Sequence, residues 1–244
     1  MCADHGIPLF GDKGACVHVQ ELVRAFADLG HQVQVLAARL GDAQGDAALP
    51  ASARKIRVTA SAAVESDEEL ETARRRHKEC RYLDIAAAAE QCLVELHASW
   101  PFDLVYERYS LWSAAGVRAA RRLGIPCIVE VNAPLLLEQQ RFRRLVLAEQ
   151  AATIECEVLG SASAVVCVSE QVARYARTHG ASAANVMDRQ TKAITIKTVI
   201  RKDCRNIDWC SGGFGISSSA ARLILLESTT RCCRSSPLAS NGIH

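Results

Sequence analysis

The chain has 244 residues, of which 49% are hydrophobic, 23% charged and 5% aromatic, and its formal net charge at pH 7 is +2. This composition is typical of a folded globular protein and excludes a collagen, a coiled coil or a wholly disordered chain. The small net charge argues against a nucleic-acid partner. The sequence has no apolar run long enough to span a membrane and no secretion signal in residues 1–6. We therefore expect a cytoplasmic protein.

Charge is distributed unevenly along the chain. Residues 1–187 carry 20 Lys and Arg against 23 Asp and Glu, whereas residues 188–244 carry 9 against 4 and hold four of the eleven cysteines. The two parts therefore differ in character. We predict a domain over 1–187 and an irregular tail over 188–244, which is either disordered or the product of a frameshift.

The cysteines indicate reduced thiols rather than disulfides or a zinc site. Their number is odd, no secretion signal accompanies them, and no C-x-x-C or H-E-x-x-H motif occurs. Five of them stand among apolar residues, as small core-filling side chains do: Cys16, Cys92, Cys127, Cys156 and Cys167. We expect no metal ion.

The first predicted elements follow a glycine-rich segment. Apolar residues recur at helical spacing over 14–29 and predict an amphipathic helix that ends at Gly30. The elements expected next are a strand over 31–37, a shorter strand over 56–60, and one long helix or two over 67–99. Trp100 and Pro101 are expected to end the helical region.

The next elements alternate between strand and helix. Strands are predicted over 103–106, 126–131 and 164–168, and helices over 111–123, 135–159 and 170–178. Apolar strands that alternate with helices indicate a parallel sheet covered on both faces. We therefore predict a doubly wound, mostly parallel Rossmann-like α/β sheet. In the tail, weaker patterns favour a strand over 194–200 and a helical turn or two over 220–227.

The start of the chain lacks one expected element. A Rossmann-like sheet normally opens with a strand before its first loop and helix. Residues 1–3 supply no more than the last part of such a strand. Because this strand normally lies at the centre of the sheet, its truncation would leave backbone groups there without partners.

A glycine-rich loop precedes the first predicted helix. Gly11 and Gly14 flank Asp12 and Lys13, and free N–H groups at a helix start favour an anion such as a phosphate. The pattern is neither G-x-G-x-x-G nor G-x-x-x-x-G-K-[ST]. The alternative is a tight turn that binds no ligand.

Polar residues stand at the ends of two predicted strands. Glu107 and Arg108 end one, and Glu130 and Asn132 end the other. Open α/β sheets bind ligands at the carboxyl ends of their strands. For the first pair the alternative is a solvated loop with an internal ion pair. For Asn132 it is a helix N-cap, with Pro134 in the first turn.

Charged residues on the predicted helices are less specific. His18 lies in the first turns of the first helix, where the helix dipole disfavours its charged form, and a role as catalytic base is the weaker interpretation. Arg141, Arg143 and Arg144 favour a solvated face, with an anionic acceptor or a membrane surface as the alternative. Residues 74–76, three further arginines, are interpreted as a solvated face.

Four segments, in order, resemble the N-terminal domain of family 4 glycosyltransferases, which are retaining enzymes with two facing Rossmann domains. They are GDKGACVHVQELVRAFADLGHQVQVLAAR (11–39), DLVYERYSLWSAAG (103–116), GIPCIVEVNAPLLLEQ (124–139) and SAVVCVSEQVARYARTHG (163–180). The resemblance covers about 1–187. It implies an acceptor-binding domain whose glycine-rich loop approaches the diphosphate of a nucleotide-sugar donor.

The resemblance also implies particular roles. Gly11 and Gly14 would meet the donor phosphates through their backbone, and His18, Glu107, Arg108, Glu130 and Asn132 would lie on the acceptor side. Many relatives carry a histidine after the fourth or fifth strand, where this chain has Glu130-Val131-Asn132, so the catalytic group stays unassigned. The expected partners are a small-molecule or glycan acceptor and a nucleotide sugar as co-substrate, with no cofactor.

The resemblance ends near residue 187. Relatives continue through a linker into a donor-binding domain with a basic pair and a paired Glu motif, and residues 188–244 carry neither. We therefore expect a truncated transferase that is inactive or nearly so by itself. The alternative is a non-catalytic sugar- or nucleotide-binding module, or a subunit that partners a separate donor domain. A nicotinamide enzyme is disfavoured, because Ala37-Ala38-Arg39 stands where an acidic residue would bind the ribose.

Overall fold

The computed structural model describes residues 8–41, 49–58, 69–187 and 222–226. Within these ranges the chain forms seven strands and six helices. The strands are β1 (Gln32–Ala37), β2 (Ser52–Lys55), β3 (Leu104–Arg108), β4 (Cys127–Val131), β5 (Ala164–Cys167), β6 (Val186–Met187) and β7 (Arg222–Leu226). The helices are α1 (Gly14–Asp28), α2 (Leu70–Ser99), α3 (Ala115–Leu123), α4 (Leu135–Phe142), α5 (Ala148–Ser161) and α6 (Glu170–Thr178).

The described strands form one parallel sheet in the order β2-β1-β7-β3-β4-β5-β6. On one face, α1 packs through Val19, Val23 and Phe26, and on the other the core contains side chains from α2, α3, α5 and α6. Burial on both faces explains why the central strands are nearly continuous apolar runs. The prediction of a doubly wound parallel Rossmann-like sheet is confirmed.

Local signals in the sequence determine several helix ends. Gly30 and Gly124, with φ of 83° and 68°, follow α1 and α3 in the left-handed conformation that glycine adopts without strain. At the start of α6, the Ser169 hydroxyl accepts a hydrogen bond of 3.3 Å from the Val172 amide. These ends agree with the predicted ones because each depends on residues within one turn of the helix.

The second strand lies upstream of its predicted position. The sequence predicts it over 56–60, whereas β2 pairs with the second half of β1 over Ser52–Lys55. The prediction is wrong because β2 is an edge strand with largely exposed side chains, and it therefore has no apolar pattern. The apolar signal came from Ile56, which is buried just beyond the strand. Residues 59 and 60 lie outside the described residues.

The predicted single helix over 135–159 is two helices, α4 and α5. A carboxylate from α2 intervenes, because Glu79 accepts hydrogen bonds from the amides of Val146 at 3.1 Å and Leu147 at 2.8 Å. These amides stand at the start of α5, where a helix has no internal acceptors for its N–H groups. The break therefore depends on a residue more than sixty positions away.

The helix predicted over 111–123 also begins later, at Ala115. Leu111 and Trp112 are buried in the turn before it, so their apolar character reflects packing rather than helix formation. The Ser113 hydroxyl accepts a hydrogen bond of 3.2 Å from the Ala115 amide and supports the new start.

Strand β7 comes from the segment beyond residue 187. It lies between β1 and β3 at the centre of the sheet, where the sequence predicts a gap. The helical turns predicted over 220–227 are therefore wrong. The alternation of buried Leu223 and Leu225 with exposed Arg222 fits a strand against α1. The strand predicted over 194–200 lies outside the described residues, and the boundary at 187 stays a prediction.

The cysteines differ in exposure. Cys16, Cys127 and Cys167 are buried, as expected of core-filling residues, and Cys92 is half-buried against the core. Cys156 is exposed, so its prediction as a core residue is wrong. It lies on α5 between Glu155 and Glu157, and its apolar neighbours in sequence occupy a different side of that helix.

Candidate functional site

Three elements converge at the carboxyl edge of the sheet. Strands β3 and β4 are parallel and in register, so that Arg108 is paired with Glu130 at their ends. The N-terminal half of α1 lies over the same edge. Because side chains alternate across a strand, Tyr106, Arg108 and Glu130 share the face that α1 covers. This alternation determines which of the predicted residues meet.

Glu130 is the centre of the site. Its side chain is 1% exposed, and its two carboxylate oxygens lie 2.9 and 3.1 Å from Nε2 of His18. The Tyr106 hydroxyl donates a hydrogen bond of 3.1 Å to Oε2 of Glu130. A buried carboxylate is costly unless donors surround it. His18 and Tyr106 are such donors, and together the three residues form what we call the His18 network.

Burial and the neighbouring Glu130 carboxylate hold the pKa of Tyr106 well above its ordinary value. The phenol therefore stays protonated and remains a donor to Glu130. His18 differs from its two partners, because 37% of its side chain is exposed. With Nε2 directed at Glu130, Nδ1 is the ring nitrogen left for a ligand. In the neutral ring Nδ1 accepts a hydrogen bond, for example from a sugar hydroxyl.

Arg108 joins the strand end to the helix. Its Nη1 donates a hydrogen bond of 3.3 Å to the carbonyl of Ala15, in the first turn of α1. This contact brings a positive charge to the helix start, close to the glycine-rich loop. The structure therefore places Arg108 and His18 on the same side of the site. Neither interpretation of Arg108 from the sequence included the contact with α1.

The glycine-rich loop is held by Gln20, a residue that sequence reasoning missed. The buried Gln20 amide donates to the carbonyls of Leu9 at 3.1 Å and Gly11 at 3.3 Å. A Cβ at Gly11 would lie 3.3 Å from the Cys16 sulfur, whereas a Cβ at Gly14 would meet no heavy atom within 4 Å. Space is therefore open at Gly14, where α1 begins without a side-chain cap or an acidic residue in its first turn.

Asn132 lies just beyond β4. Its Nδ2 is buried and has no hydrogen-bond partner among the described residues. The helix N-cap interpretation is wrong, because Pro134 precedes α4 as its cap residue and no side chain caps that helix. An unpaired buried amide donor normally finds a ligand or a water molecule. Asn132 is thus a candidate for binding a hydroxyl oxygen.

The structure does not bring Glu107 together with the other site residues. Glu107 points to the opposite face of the sheet, where it is fully buried and accepts hydrogen bonds from the Ser113 hydroxyl at 2.9 Å and the Gly116 amide at 3.1 Å. Burial raises the pKa of this carboxyl to about 7, against the lowering effect of these two donors. The alternative of a solvated loop is also wrong for this residue.

Tyr106 was missed as well, since an aromatic residue in an apolar strand is most often interpreted as core. Its only signal was its position two residues before Arg108, which places both on one face of β3.

The described residues contain no candidate metal site: in these ranges, no three His, Cys, Asp or Glu side chains are grouped to hold a metal ion. None of the helices described is both long and apolar enough to cross a bilayer.

A comparison with protein-family models agrees with this architecture. A comparison with curated proteins found no match. The family model described as a glycosyl transferase 4-like domain matches residues 13–187, a range that begins at the glycine-rich loop and includes His18, Arg108, Glu130 and Asn132. This match covers well over half of the chain, and the chain therefore belongs to the glycosyl transferase 4-like domain family.

Proposed function

We propose that residues 13–187 bind the acceptor in the transfer of a sugar from a nucleotide-sugar donor, with retention at the anomeric carbon. The observation that carries the proposal is the His18 network, at the strand ends and beside the open start of α1, in a domain of this family. Ligands of open parallel sheets bind at such an edge. The acceptor would be a small molecule or a glycan.

Each site residue has a distinct proposed role. Nδ1 of His18 and Nδ2 of Asn132 would contact acceptor hydroxyls, the first as hydrogen-bond acceptor and the second as donor. Glu130 and Tyr106 would hold the His18 ring in one orientation and one tautomer. The backbone at Gly11 and Gly14 and the start of α1 would meet the donor diphosphate, where positive charge stabilises the leaving group. No metal ion or other cofactor enters this proposal.

We further propose that this chain by itself transfers sugar poorly or not at all. Transfer requires donor and acceptor to be held against each other, and the described residues form a single sheet, with the candidate site at its carboxyl edge. A donor held from one side only would bind weakly, with a dissociation constant of about 1 mM or more. The donor-binding groups of a facing domain would complete the site.

The test is a calorimetric titration of the purified chain with mono- and oligosaccharide acceptors, and separately with UDP-glucose and GDP-mannose. We expect at least one saccharide to bind, and His18→Ala to weaken its binding about tenfold or more, a loss in the range of one or two hydrogen bonds. The matched control is His77→Ala, because His77 is an exposed histidine on α2. Equal losses in both variants would contradict the assigned site.

A donor titration tests the incomplete donor site. Binding of either nucleotide sugar much tighter than about 1 mM would contradict it. So would the release of nucleoside diphosphate when donor, acceptor and chain are mixed. Translation of the encoding DNA beyond codon 187 in the other two frames gives an independent test. A donor-binding α/β domain encoded in one of those frames would support the proposal of a truncated transferase.

A second candidate function is a non-catalytic module that binds a sugar or a nucleotide. The single described sheet favours it, since such a sheet needs no facing domain to hold one ligand. The two candidates differ in one measurement. If the chain is the acceptor-binding part of a transferase, addition of a separately produced donor-side domain of the same family would restore sugar transfer. If it is a non-catalytic module, the chain would bind its ligand but no transfer would follow.

A further inference from the structure

The most exposed large apolar side chains of the described residues are Leu70, Leu137 and Phe142, at 64%, 52% and 69%. Leu70 begins α2, and the other two belong to α4. An ion pair joins the start of α2 to the segment after α4, because Nη1 of Arg144 lies 3.9 Å from Oε2 of Glu69. Glu69 is next to Leu70, and Arg144 is two residues beyond Phe142. Exposed apolar side chains on segments that are joined in this way indicate an interaction surface.

Two arginine runs that are distant in sequence meet at the same place. Nη1 of Arg75 donates a hydrogen bond of 3.0 Å to the carbonyl of Arg144. The segment 143–147 therefore runs along the first half of α2, where Glu79 also holds it. The two joined segments carry six exposed apolar and arginine side chains, which we call the basic apolar patch: Leu70, Arg74, Leu137, Arg141, Phe142 and Arg144.

The charge of this surface differs from that of the surrounding domain. Residues 69–81 and 135–147 contain eight Arg and Lys against four Glu, one of which is the buried Glu79. Residues 1–187 as a whole carry three more acidic than basic residues. Positive charge is thus concentrated around exposed apolar side chains, in a domain that is otherwise acidic.

We propose that the basic apolar patch docks the protein onto an anionic lipid surface. Guanidinium groups bind lipid phosphates, and exposed leucine and phenylalanine side chains insert at the boundary between headgroups and acyl chains. Phe142 suits this arrangement, since the guanidinium of Arg141 lies 5.4 Å from the centre of its ring. A soluble anion would use the arginines but would leave three exposed apolar side chains without a role.

The patch lies next to the candidate site. Helix α4 begins at Leu135, three residues after Asn132, so a lipid surface bound there would be close to the carboxyl edge of the sheet. Docking would favour an acceptor presented at that surface; this consequence alone rests on the proposed function. Docking is measured without any sugar. A failure of the docking proposal can therefore be distinguished from a failure of the proposed function.

The test is cosedimentation of the full chain with vesicles of phosphatidylcholine alone and with vesicles that also contain phosphatidylglycerol. We expect binding to the anionic vesicles only, and about tenfold or greater loss of affinity for the double variant Arg141→Gln and Arg144→Gln. The control replaces Arg121 and Arg174, exposed arginines of α3 and α6, by Gln. Circular dichroism checks that the variants remain folded.

Phe142→Ser separates a lipid surface from a soluble anion. We expect this variant to bind anionic vesicles several-fold more weakly, and the wild-type chain to bind them more weakly as salt is added. The proposal is overturned if the chain does not bind anionic vesicles, or if patch and control variants lose affinity equally. It is also overturned if Phe142→Ser binds as the wild type does while the arginine variant does not, since the patch would then be a soluble-anion site.

Discussion

Glu130 illustrates how one buried charge determines the positions of its neighbours. The carboxylate is shielded from water at the end of β4 and takes its hydrogen bonds from α1 and from β3. Loss of any donor leaves part of that charge unsatisfied, which costs more than the bond itself contributes. The His18 network is therefore structural as well as functional, and the two roles can be measured separately.

Removal of the Tyr106 hydroxyl tests the structural role. We expect Tyr106→Phe to lower the free energy of unfolding by about 1–3 kcal/mol, because Glu130 loses one of its donors while the aromatic ring stays in place. Urea denaturation measures the change. In the Glu130→Gln background the same substitution should cost less, and equal costs in both backgrounds would show that the two groups are not coupled.

The buried carboxyl of Glu107 is expected to make the stability of the fold depend on pH. Burial raises its pKa to about 7 in the folded state, above the value of about 4.3 expected in the unfolded chain. As the pH rises, the unfolded chain therefore releases the Glu107 proton before the folded chain does. The contribution of Glu107 to the free energy of unfolding is complete below about pH 4 and declines as the pH rises to about 7. The decline would be about 3 kcal/mol if Glu107 acts alone.

Urea denaturation at several pH values tests this dependence. We expect Glu107→Gln to lose less stability than the wild type between pH 4 and 7, since glutamine keeps an acceptor for Ser113 and Gly116 but does not titrate. Parallel curves for the two proteins would contradict the assignment.

At the scale of elements, contacts between helices decide where helices end. Helix α5 begins where it does because Glu79 of α2 accepts hydrogen bonds from two of its leading amides. We expect Glu79→Ala to lower the free energy of unfolding by about 1–3 kcal/mol. Glu79→Gln, which keeps one acceptor oxygen, should lower it less.

Hydrogen exchange gives a local readout of the same change. The amides of Val146 and Leu147 should exchange faster in Glu79→Ala, while those in the middle of α5 change little. Unchanged exchange at both amides would contradict a capping role for Glu79.

At the scale of the whole molecule, β7 completes the sheet. It supplies hydrogen-bond partners to β1 and β3 at once, and its buried Leu223 and Leu225 belong to the core beside α1. A missing central strand would leave two rows of backbone groups unpaired beneath a helix. The fold therefore depends on a segment that lies beyond the region matched by the family.

Substitution within β7 tests this dependence. We expect Leu225→Asp to destabilise the chain by more than about 4 kcal/mol, because a charge would be placed in the core. Arg222→Gln, at an exposed position of the same strand, is the control. Thermal unfolding measures both, and an unchanged midpoint for Leu225→Asp would exclude β7 from the sheet centre.

The sequence by itself determined the features that depend on neighbouring residues. The apolar spacing of α1, the glycine after it, the span of α6 and the nearly continuous apolar strands β3, β4 and β5 were all predicted, and with them the parallel sheet. The edge location of Arg108, Glu130 and Asn132 followed from the same reasoning, because strand ends of a parallel sheet share one edge.

Only the tertiary structure decided which distant residues meet. The bond between His18 and Glu130 joins residues 112 positions apart, Glu79 divides α4 from α5, and β7 enters the sheet from beyond residue 187. Local periodicity contains no information on such pairings, because they are selected by the burial of charge and by the need of backbone groups for partners across the whole fold.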